Sequence, residues 1–508
     1  MEPIGTIAKD FPFLDEESLT AIKSILEEAK DYAHFARLLS DVASNPNSSQ
    51  ELVFPAFMHA LCLELPDAIR RIGENHSNAP AIRPYLLSSE GEGLATIMEA
   101  VEEVVEAGTS DMIAFHLYMR ILRASPQGSK EETYAQEKIE KLIKKNKNLQ
   151  PHSVHYYGHM GRRNRYEGKP ENALKLYKRA LKIAREHDDP WYQSRMLHLI
   201  AEITGTFSSS PESYEETKEH LLEAKRICDA LNDKDGQAMI LGNVAVISIG
   251  RREIMEGIKA QVEALRIKES LGHNISVGAY NLSRLYGDIG QGKDALEWAK
   301  IAMERWGHQR GSAPYAHLAM ANAFIQLGRL NEAREHIDSA REFAFEAGLE
   351  MALGEWYATN GLLERRMGDF ESALHSFEQA FEINERTQRQ SRLRRALLYL
   401  AETELMMFSP TRENRDNETS GPWMSRLKEL VEELRIPGYQ AEYMLLKAEL
   451  RTMQGRSDEV EEIMEAVLDI TDSPGLMPIH ERTEKVRQEW ILEGILPPNA
   501  ARRTRRPE

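Results

Sequence analysis

Cysteine is scarce in this sequence, and its scarcity excludes two classes of small, cross-linked domain. Only Cys62 and Cys228 occur among 508 residues, far apart and in no C-x-x-C pair, so neither a disulfide scaffold nor a cysteine-type zinc site is expected. No apolar run reaches the length of about 18 residues that a transmembrane helix needs. The first residues lack the basic start and apolar segment of a secretory signal. The sequence therefore predicts a cytoplasmic protein.

Basic residues are fewer than acidic residues in this sequence. Lys and Arg number 64 against 81 Asp and Glu, a formal net charge of −17. Because this field repels polyanions, neither nucleic acid nor a membrane is an expected partner. The exception is a basic tail, with Arg502, Arg503, Arg505 and Arg506. We interpret it as a flexible, solubilising terminus, with a phosphate contact as the alternative.

Motifs of covalent or phosphate chemistry are also missing. The segment 287–293 resembles a phosphate-binding loop, but Asp294 stands where that loop has Ser or Thr, and a helical pattern precedes it. We predict an ordinary turn there. No G-x-S-x-G elbow occurs, and neither cysteine has the local signature of a nucleophile. The chain is therefore expected not to be an enzyme, with no catalytic residues and no cofactor.

Three histidines share one predicted helix face. His152, His155 and His159 are spaced by three and four residues, and two imidazoles one turn apart can bind a metal. No carboxylate accompanies them at matching spacing. A polar patch is thus favoured over a metal site, and no metal is expected.

What the sequence does contain is an internal repeat. Small residues and a glycine recur at fixed offsets from about residue 154, in steps of 38 to 44 residues. Repeat starts fall at Val154, His198, Ala238, Ser276, Pro314 and Gly354, with weaker copies near Arg394 and Ala441. The clearest copies carry Gly161, Gly168, Ala173, Tyr177 and Ala180, and Gly361, Gly368, Ala373, Phe377 and Ala380. Apolar residues within them follow helical spacing.

This pattern resembles the tetratricopeptide repeat family, whose units are helix-turn-helix hairpins of about 34 residues. The steps here are those of longer variants, and the resemblance covers about 154–470. It implies an all-α, right-handed α-solenoid in which neighbouring hairpins bury each other's apolar faces. The fifteenth repeat position is a helix C-cap that favours left-handed backbone. Glycine occupies it at Gly168, Gly290, Gly328, Gly368 and Gly455.

We divide the chain into four parts. Residues 1–150 form an N-terminal helical domain, with helices at about 19–32, 51–64 and 93–107 and a candidate diverged repeat at 110–146. Residues 151–473 form about eight repeats, interrupted by an exposed insertion at 408–422. Residues 474–496 form a C-terminal capping helix, and residues 497–508 form the tail.

The resemblance also implies a binding surface. In this family the second, fifth, sixth, ninth, twelfth and thirteenth positions of each first helix face the concave groove. Carried onto this sequence, the candidate ligand-binding residues are His155, His159, Arg162, Arg165, Asn243, Asn281, Arg284, Tyr315, Asn322 and Arg365. Asn amides can pair with an extended peptide backbone and Arg with carboxylates. Later repeats turn acidic, with Glu402, Glu442 and Glu449.

These features favour a non-enzymatic scaffold that holds a protein or peptide in its concave groove and so assembles or regulates a partner. The alternative is a ligand- or peptide-sensing regulator whose solenoid changes shape on binding. An enzyme hidden in residues 1–150 is a third possibility that no motif supports. The partner, the role of residues 1–150 and the oligomeric state do not follow from the sequence.

Overall fold

Helices make up the regular structure of this protein. The computed structural model describes residues 32–45, 53, 71–72, 75, 93–109, 111–167, 169–207, 211–307, 309, 311–387, 389–411, 413–414 and 416–496. No strand occurs in these ranges, and the predicted all-α class is confirmed. The predicted helices at 19–32 and 51–64, Gly168 and the tail at 497–508 lie largely or wholly outside the described residues.

Twenty-one α-helices are described, numbered here in chain order. They are α1 (Tyr32–Ala43), α2 (Leu94–Glu106), α3 (Asp111–Ala124), α4 (Lys130–Lys145), α5 (Ser153–Tyr166), α6 (Pro170–Glu186), α7 (Pro190–Phe207), α8 (Pro211–Ala230), α9 (Lys234–Gly250), α10 (Ile254–Ser270), α11 (Ser276–Asp288), α12 (Gly292–Trp306), α13 (Ala313–Gln326), α14 (Leu330–Glu346), α15 (Glu350–Arg366), α16 (Phe370–Arg386), α17 (Gln390–Met406), α18 (Pro422–Leu434), α19 (Pro437–Met453), α20 (Ser457–Thr471) and α21 (Met477–Leu492).

The helices pack as hairpins, in the pairs that the repeat pattern predicts. The closest pairs include α5 with α6, α11 with α12, α13 with α14, α15 with α16, and α19 with α20. At the fifteenth repeat position, Gly290, Gly328, Gly368 and Gly455 have φ between 72° and 83°. The next residue's N–H donates to a carbonyl five residues back, as from Arg329 to Phe324 at 2.9 Å. The tetratricopeptide-like architecture is therefore confirmed.

The chain divides into two compact units. Unit 1 comprises Met1–Ile200 and Leu222–Gln237, and unit 2 comprises Ala201–Leu221 and Ala238–Glu508. The division passes through α7, α8 and α9. The boundary at residue 150, placed from the sequence, falls inside unit 1 and stays a prediction.

In unit 1, the hairpins α3–α4 and α5–α6 surround a core that includes Phe115, Ile139 and Tyr177. An ion pair between Arg163 Nε and Glu132 Oε1, at 3.0 Å, joins α5 to α4. Both side chains are largely buried, and the pair therefore fixes these helices by charge as well as by apolar contact.

In unit 2, the core is divided into separate clusters, as expected when each hairpin packs mainly on its neighbours. One cluster lies between α11 and α15, around Ala299, Ala321 and Ile337. A second, around Phe377, Leu400 and Leu427, lies between α15 and α19. A third joins α19, α20 and α21.

Distant parts of unit 2 also touch one another. Helix α10 packs against α21 and against the 3₁₀ turn Pro474–Leu476. At the start of α19, Gly438 lies against the Arg251 carbonyl and the Arg252 side chain, where an added methyl group would clash. On α17, Arg394 donates to the Gly250 carbonyl at 3.4 Å. The late helices of unit 2 thus contact its early helices. The repeat pattern does not predict this closure.

The segment 407–421, between α17 and α18, has no helix among its described residues. Its Asn417 carbonyl accepts hydrogen bonds from Arg451 at 2.9 Å and from Gln454 at 3.0 Å. Both donors lie at the end of α19 and are buried. The predicted insertion is therefore hydrogen-bonded to the repeat that follows it.

Candidate functional site

A cavity of about 1650 Å³ lies within unit 2. We call it the central cavity. Four first helices line it through their ninth repeat positions, which are Arg284 on α11, Asn322 on α13, Leu362 on α15 and Glu402 on α17. Helices α8, α9, α10, α19 and α21 and the 3₁₀ turn Pro474–Leu476 also contribute to the wall. Because the ninth positions recur once per repeat, the stacking of hairpins brings them to one surface.

Four charged side chains join the two ends of the unit at the cavity wall. Arg252 Nη2 donates to Glu442 Oε1 at 2.6 Å, and Arg252 Nη1 lies 3.7 Å from Asp288 Oδ2. Arg482 pairs with the other oxygen of Glu442. These four residues form what we call the closure cluster.

The arginines of the closure cluster stabilise the ionised form of Glu442. Only 3% of its side chain is exposed. Burial by itself raises the pKa of this carboxyl, but Arg482 and Arg252 outweigh burial and lower the pKa to about 2. The carboxylate is therefore ionised throughout the neutral range, and the contact between the ends of unit 2 is an ionic one.

A second group of charges surrounds Glu355 on α15. Arg395 Nη2 donates to Glu355 Oε2 at 2.9 Å, and Arg392 Nε lies 2.6 Å from Glu355 Oε1. Arg284 also acts on this carboxylate through its charge. Burial raises the pKa of Glu355, but Arg392, Arg395 and Arg284 together hold it well below its usual range. We call these four residues the Glu355 cluster.

A further ion pair on the cavity wall joins α15 to α17. Arg365 Nη1 donates to Glu402 Oε2 at 2.7 Å. The Arg365 guanidinium also lies 5.4 Å from the Tyr399 ring centroid, within range of a cation–π contact. Burial raises the pKa of Tyr399 to about 12, so its hydroxyl stays neutral.

Apolar side chains share the wall with these charges. Leu241 and Val244 on α9, Leu362 on α15 and Leu398 on α17 all face the cavity. Gly287 on α11 leaves further space, because an added methyl group would meet no heavy atom within 4 Å. The central cavity thus combines apolar surface with directed polar groups, as ligand sites usually do.

Of the ten candidate residues from the sequence, the structure places Arg284, Asn322 and Arg365 on the wall of the central cavity. Asn322 Nδ2 donates to Thr359 Oγ1, also on the wall, at 3.3 Å. These three residues come from three consecutive first helices.

The other candidates in unit 2 lie off that wall. Asn243 is buried within the unit and Asn281 is half-buried on α11. Tyr315 packs edge-on against Tyr280, with ring centroids 5.8 Å apart. They belong to the same helices as the cavity residues but are not part of its lining.

The four candidates from the first repeat lie in unit 1. His155 contacts Tyr192, whose hydroxyl is 2.6 Å from Nδ1. Burial, followed by the charges of Arg123 and Arg162, lowers the pKa of His159 to about 3. Arg162 is exposed and Arg165 half-buried. None of the four lines the central cavity.

Sequence reasoning missed most of the closure cluster. It identified Glu442 as a groove residue but not Arg252, Asp288 or Arg482. One signal was present, since Arg252 stands at the fifteenth repeat position that glycine occupies in four described repeats. Its partner Glu442 is 190 residues away, and no local pattern connects the two.

The described part of the chain offers neither a metal cluster nor a membrane-spanning helix. No group of three or more His, Cys, Asp or Glu side chains there is arranged to hold a metal ion. No helix among those residues is both long and apolar enough to cross a membrane. Within the segment 287–293, residues 289–291 form a short turn between α11 and α12, and the predicted inter-helix turn is therefore present.

No protein-family model matches the sequence, and no curated protein matches it. Among solved structures, a Rap protein complexed with Competence and Sporulation Factor has a similar arrangement of helices. The two sequences are 13% identical, the match covers 68% of this chain and 100% of that chain, and the TM-score is 0.44. Yeast Tom70 has 13% identity, 95% and 98% coverage and a TM-score of 0.36. A signal transduction ATPase with a tetratricopeptide repeat sensor from Pyrococcus horikoshii has 11% identity, 78% and 53% coverage and a TM-score of 0.34.

Proposed function

We propose that this chain is a non-enzymatic binding protein that holds a peptide segment of a partner in the central cavity of unit 2. The observation that carries the proposal is the wall itself, where ninth-position side chains of four repeats, Arg284, Asn322, Leu362 and Glu402, face one space. Guanidinium, amide and apolar groups at regular spacing suit an extended chain with varied side chains.

The size of the cavity supports a peptide over a small metabolite. Pockets for small molecules usually measure about 300 to 1,000 Å³, and the central cavity holds about 1650 Å³. The lining also lacks the single converging polar centre that fixes a small ligand, because its charged groups are distributed over several helices. A peptide would use such a surface along its length.

The chemistry of the described ionisable groups supports a binding role over catalysis. The buried carboxylates Glu355 and Glu442 and the half-buried Glu402 each pair with arginine. Carboxylates held in ion pairs with arginine are poor general acids or bases near neutral pH. In unit 1, burial raises the pKa of the Cys228 thiol to about 11, so it is protonated and a weak nucleophile.

A cavity-filling substitution tests the proposal. A displayed library of random twelve-residue peptides would first be selected against the whole protein, and one selected peptide labelled for fluorescence anisotropy. Gly287→Trp places an indole in the open space beside Gly287, and we expect it to weaken binding at least about tenfold.

The matched control is Gly242→Trp. Gly242 lies on α9 of unit 2, also has no heavy atom within 4 Å of an added methyl group, and does not line the cavity. This variant should bind as the unsubstituted protein does. Equal affinity of the Gly287→Trp variant would place the peptide elsewhere, and a selection that yields no specific peptide would contradict the proposed function altogether.

The closure cluster favours a second candidate function, a sensor whose unit 2 changes shape on binding. A ligand that enters between the two ends would alter the Arg252–Glu442 contact. Hydrogen exchange of the 251–253 turn between α9 and α10, measured with and without the selected peptide, tests this idea. Unchanged protection of that turn would leave the scaffold as the sole candidate.

A further inference from the structure

Two histidines of unit 2 face each other across one helical hairpin. The Nδ1 atom of His317 on α13 lies 2.9 Å from the Nδ1 atom of His336 on α14, and the ring centroids are 5.1 Å apart. A neutral imidazole carries one proton on one of its two nitrogens. In this pair one Nδ1 therefore donates a hydrogen bond and the other accepts it, so both atoms are directed into one space between the helices.

The distance between the two nitrogens suits a shared metal ion. Imidazole nitrogens bind zinc at about 2.0–2.1 Å, so two of them on one ion are about 2.8 to 3.4 Å apart for ligand angles between a right angle and the tetrahedral value. The observed separation of 2.9 Å lies within that range. An ion could thus replace the hydrogen bond after a small rotation of the rings, without movement of the helices.

The surroundings of the pair restrict its rings but leave it accessible. The Phe343 ring lies 5.6 Å from that of His317, and the Phe324 ring stacks on His336 at 5.6 Å. These contacts limit the orientations of the imidazoles, which lowers the cost of ordering them around an ion. Both histidines are half-buried, so solvent reaches the site. The negative charge of Glu335 acts on His336 and favours a cation there.

We propose that His317 and His336 form a two-ligand site for a divalent transition metal ion of the zinc and copper class, with water in the remaining positions. Imidazole suits these ions, whereas Mg²⁺ and Ca²⁺ prefer oxygen ligands. Both imidazoles remain neutral when they bind the ion. The proton of the donating Nδ1 moves through solvent to Nε2 of the same ring, so binding releases no net proton.

This site is independent of the proposed peptide-binding function. Neither histidine lines the central cavity. The sequence gave no indication of the site, because the two residues are 19 positions apart and lie on different helices. A bound ion would join α13 to α14 and would stabilise the native protein by mass action.

Metal titrations of the whole protein test the proposal. The protein, without an affinity tag, would be dialysed against EDTA and then titrated calorimetrically with CuCl₂, ZnCl₂ or MgCl₂. We expect Cu²⁺ to bind about tenfold or more tightly than Zn²⁺, in the usual order for nitrogen ligands, and both ions to raise the melting temperature. Absence of binding by Cu²⁺ and Zn²⁺, or equal affinity for Mg²⁺, would overturn the proposal.

Two substitutions assign the site to the histidine pair. His317→Asn and His336→Asn each place an amide near the former Nδ1 position, which preserves a hydrogen bond but provides a poor ligand for these ions. Each should weaken the tightest Cu²⁺ site at least about tenfold. The double variant should bind within about threefold of either single variant, because both ligands act on one ion. Circular dichroism melts without metal check that the variants fold.

A matched control and a spectroscopic count complete the test. His375→Asn removes an exposed histidine of α16, also in unit 2, and should leave the Cu²⁺ affinity unchanged. Pulsed electron paramagnetic resonance of the unsubstituted protein with one equivalent of Cu²⁺ should detect two imidazoles on the ion. An equal loss of affinity in His375→Asn, unchanged affinity in His317→Asn and His336→Asn, or a single bound imidazole would overturn the assignment.

Discussion

At the scale of single residues, Arg252 combines an unfavourable backbone with a favourable side-chain position. Its φ of 65° is in the left-handed region, which costs a non-glycine residue about 1–2 kcal/mol. Equivalent positions in four other described repeats carry glycine. The Arg252 guanidinium is engaged by Glu442 at 2.6 Å, and we infer that this buried contact outweighs the backbone cost.

Replacement of Arg252 by glycine separates the two effects. Arg252→Gly relieves the backbone but leaves Glu442 with Arg482 alone. Loss of one partner from a buried pair costs about 3–5 kcal/mol, so we expect a net destabilisation of about 1–3 kcal/mol in urea unfolding. The control, Arg435→Gly, changes an exposed arginine with φ of 49°, and should raise stability by up to about 1 kcal/mol. Equal shifts for the two variants would mean that the closure cluster contributes nothing.

At the scale of helices, small residues set how closely the two members of a hairpin approach. Gly361 on α15 faces the fully buried Phe377 on α16, and an added methyl group would lie 2.7 Å from the Phe377 ring. The same offset separates Gly161 from Tyr177 in the first repeat. A glycine at this position therefore permits an aromatic ring at the paired one.

A pair of glycine substitutions tests this packing. Gly361→Ala should destabilise unit 2 by about 1–3 kcal/mol, because the buried ring has no space to move. Gly287→Ala, at an open helical position, should instead stabilise it by about 0.5–1 kcal/mol through helix propensity. Urea unfolding followed by circular dichroism measures both. A stabilised Gly361→Ala variant would contradict the proposed close approach.

At the scale of the whole molecule, unit 1 has two described histidines whose pKa burial lowers strongly, whereas unit 2 has His336, whose pKa burial also lowers. In unit 1, burial, followed by the charge of His187, lowers the pKa of His152 to about 4, and the pKa of His159 is also lowered. A lowered histidine pKa stabilises the fold above the unfolded value of about 6.5, and this contribution is lost as pH falls toward the folded value. In unit 2, the lowered pKa of Glu442 contributes stability above about pH 4.5 that is lost toward pH 2.

Acidification should therefore weaken unit 1 before unit 2. Trp191 belongs to unit 1 and the other five tryptophans to unit 2. Urea unfolding at pH 7, 5.5 and 4.5 can be followed by fluorescence in the unsubstituted protein and in the Trp191→Phe variant, which reports on unit 2 alone. We expect the unit 1 midpoint to fall more over this range than that of unit 2, because the pKa values of His152 and His159 in unit 1 are lowered more strongly than that of His336 in unit 2. The reverse order would contradict the assigned protonation states.

The helices and their pairing could be predicted from the sequence because they depend on local spacing. The apolar series around Phe377 and the glycines at the fifteenth position, such as Gly328 and Gly368, all act over fewer than about 20 residues. The same register assigned Arg284, Asn322 and Arg365 to one surface, at the ninth and twelfth positions of stacked first helices, and all three line the central cavity. Asn281 and Tyr315 lie off that wall, and their role in binding stays a prediction.

The sequence alone thus determined a helical repeat array and the composition of its first-helix faces. Only the tertiary structure decided that the ends of unit 2 meet and that arginines pair with Glu355. Those features depend on contacts such as Arg252 with Glu442, across 190 residues, and Arg395 with Glu355, across 40 residues. Arg395 and Glu355 meet across neighbouring repeats, but Arg252 and Glu442 are brought together by the combined rotation of several hairpins, which no single repeat encodes.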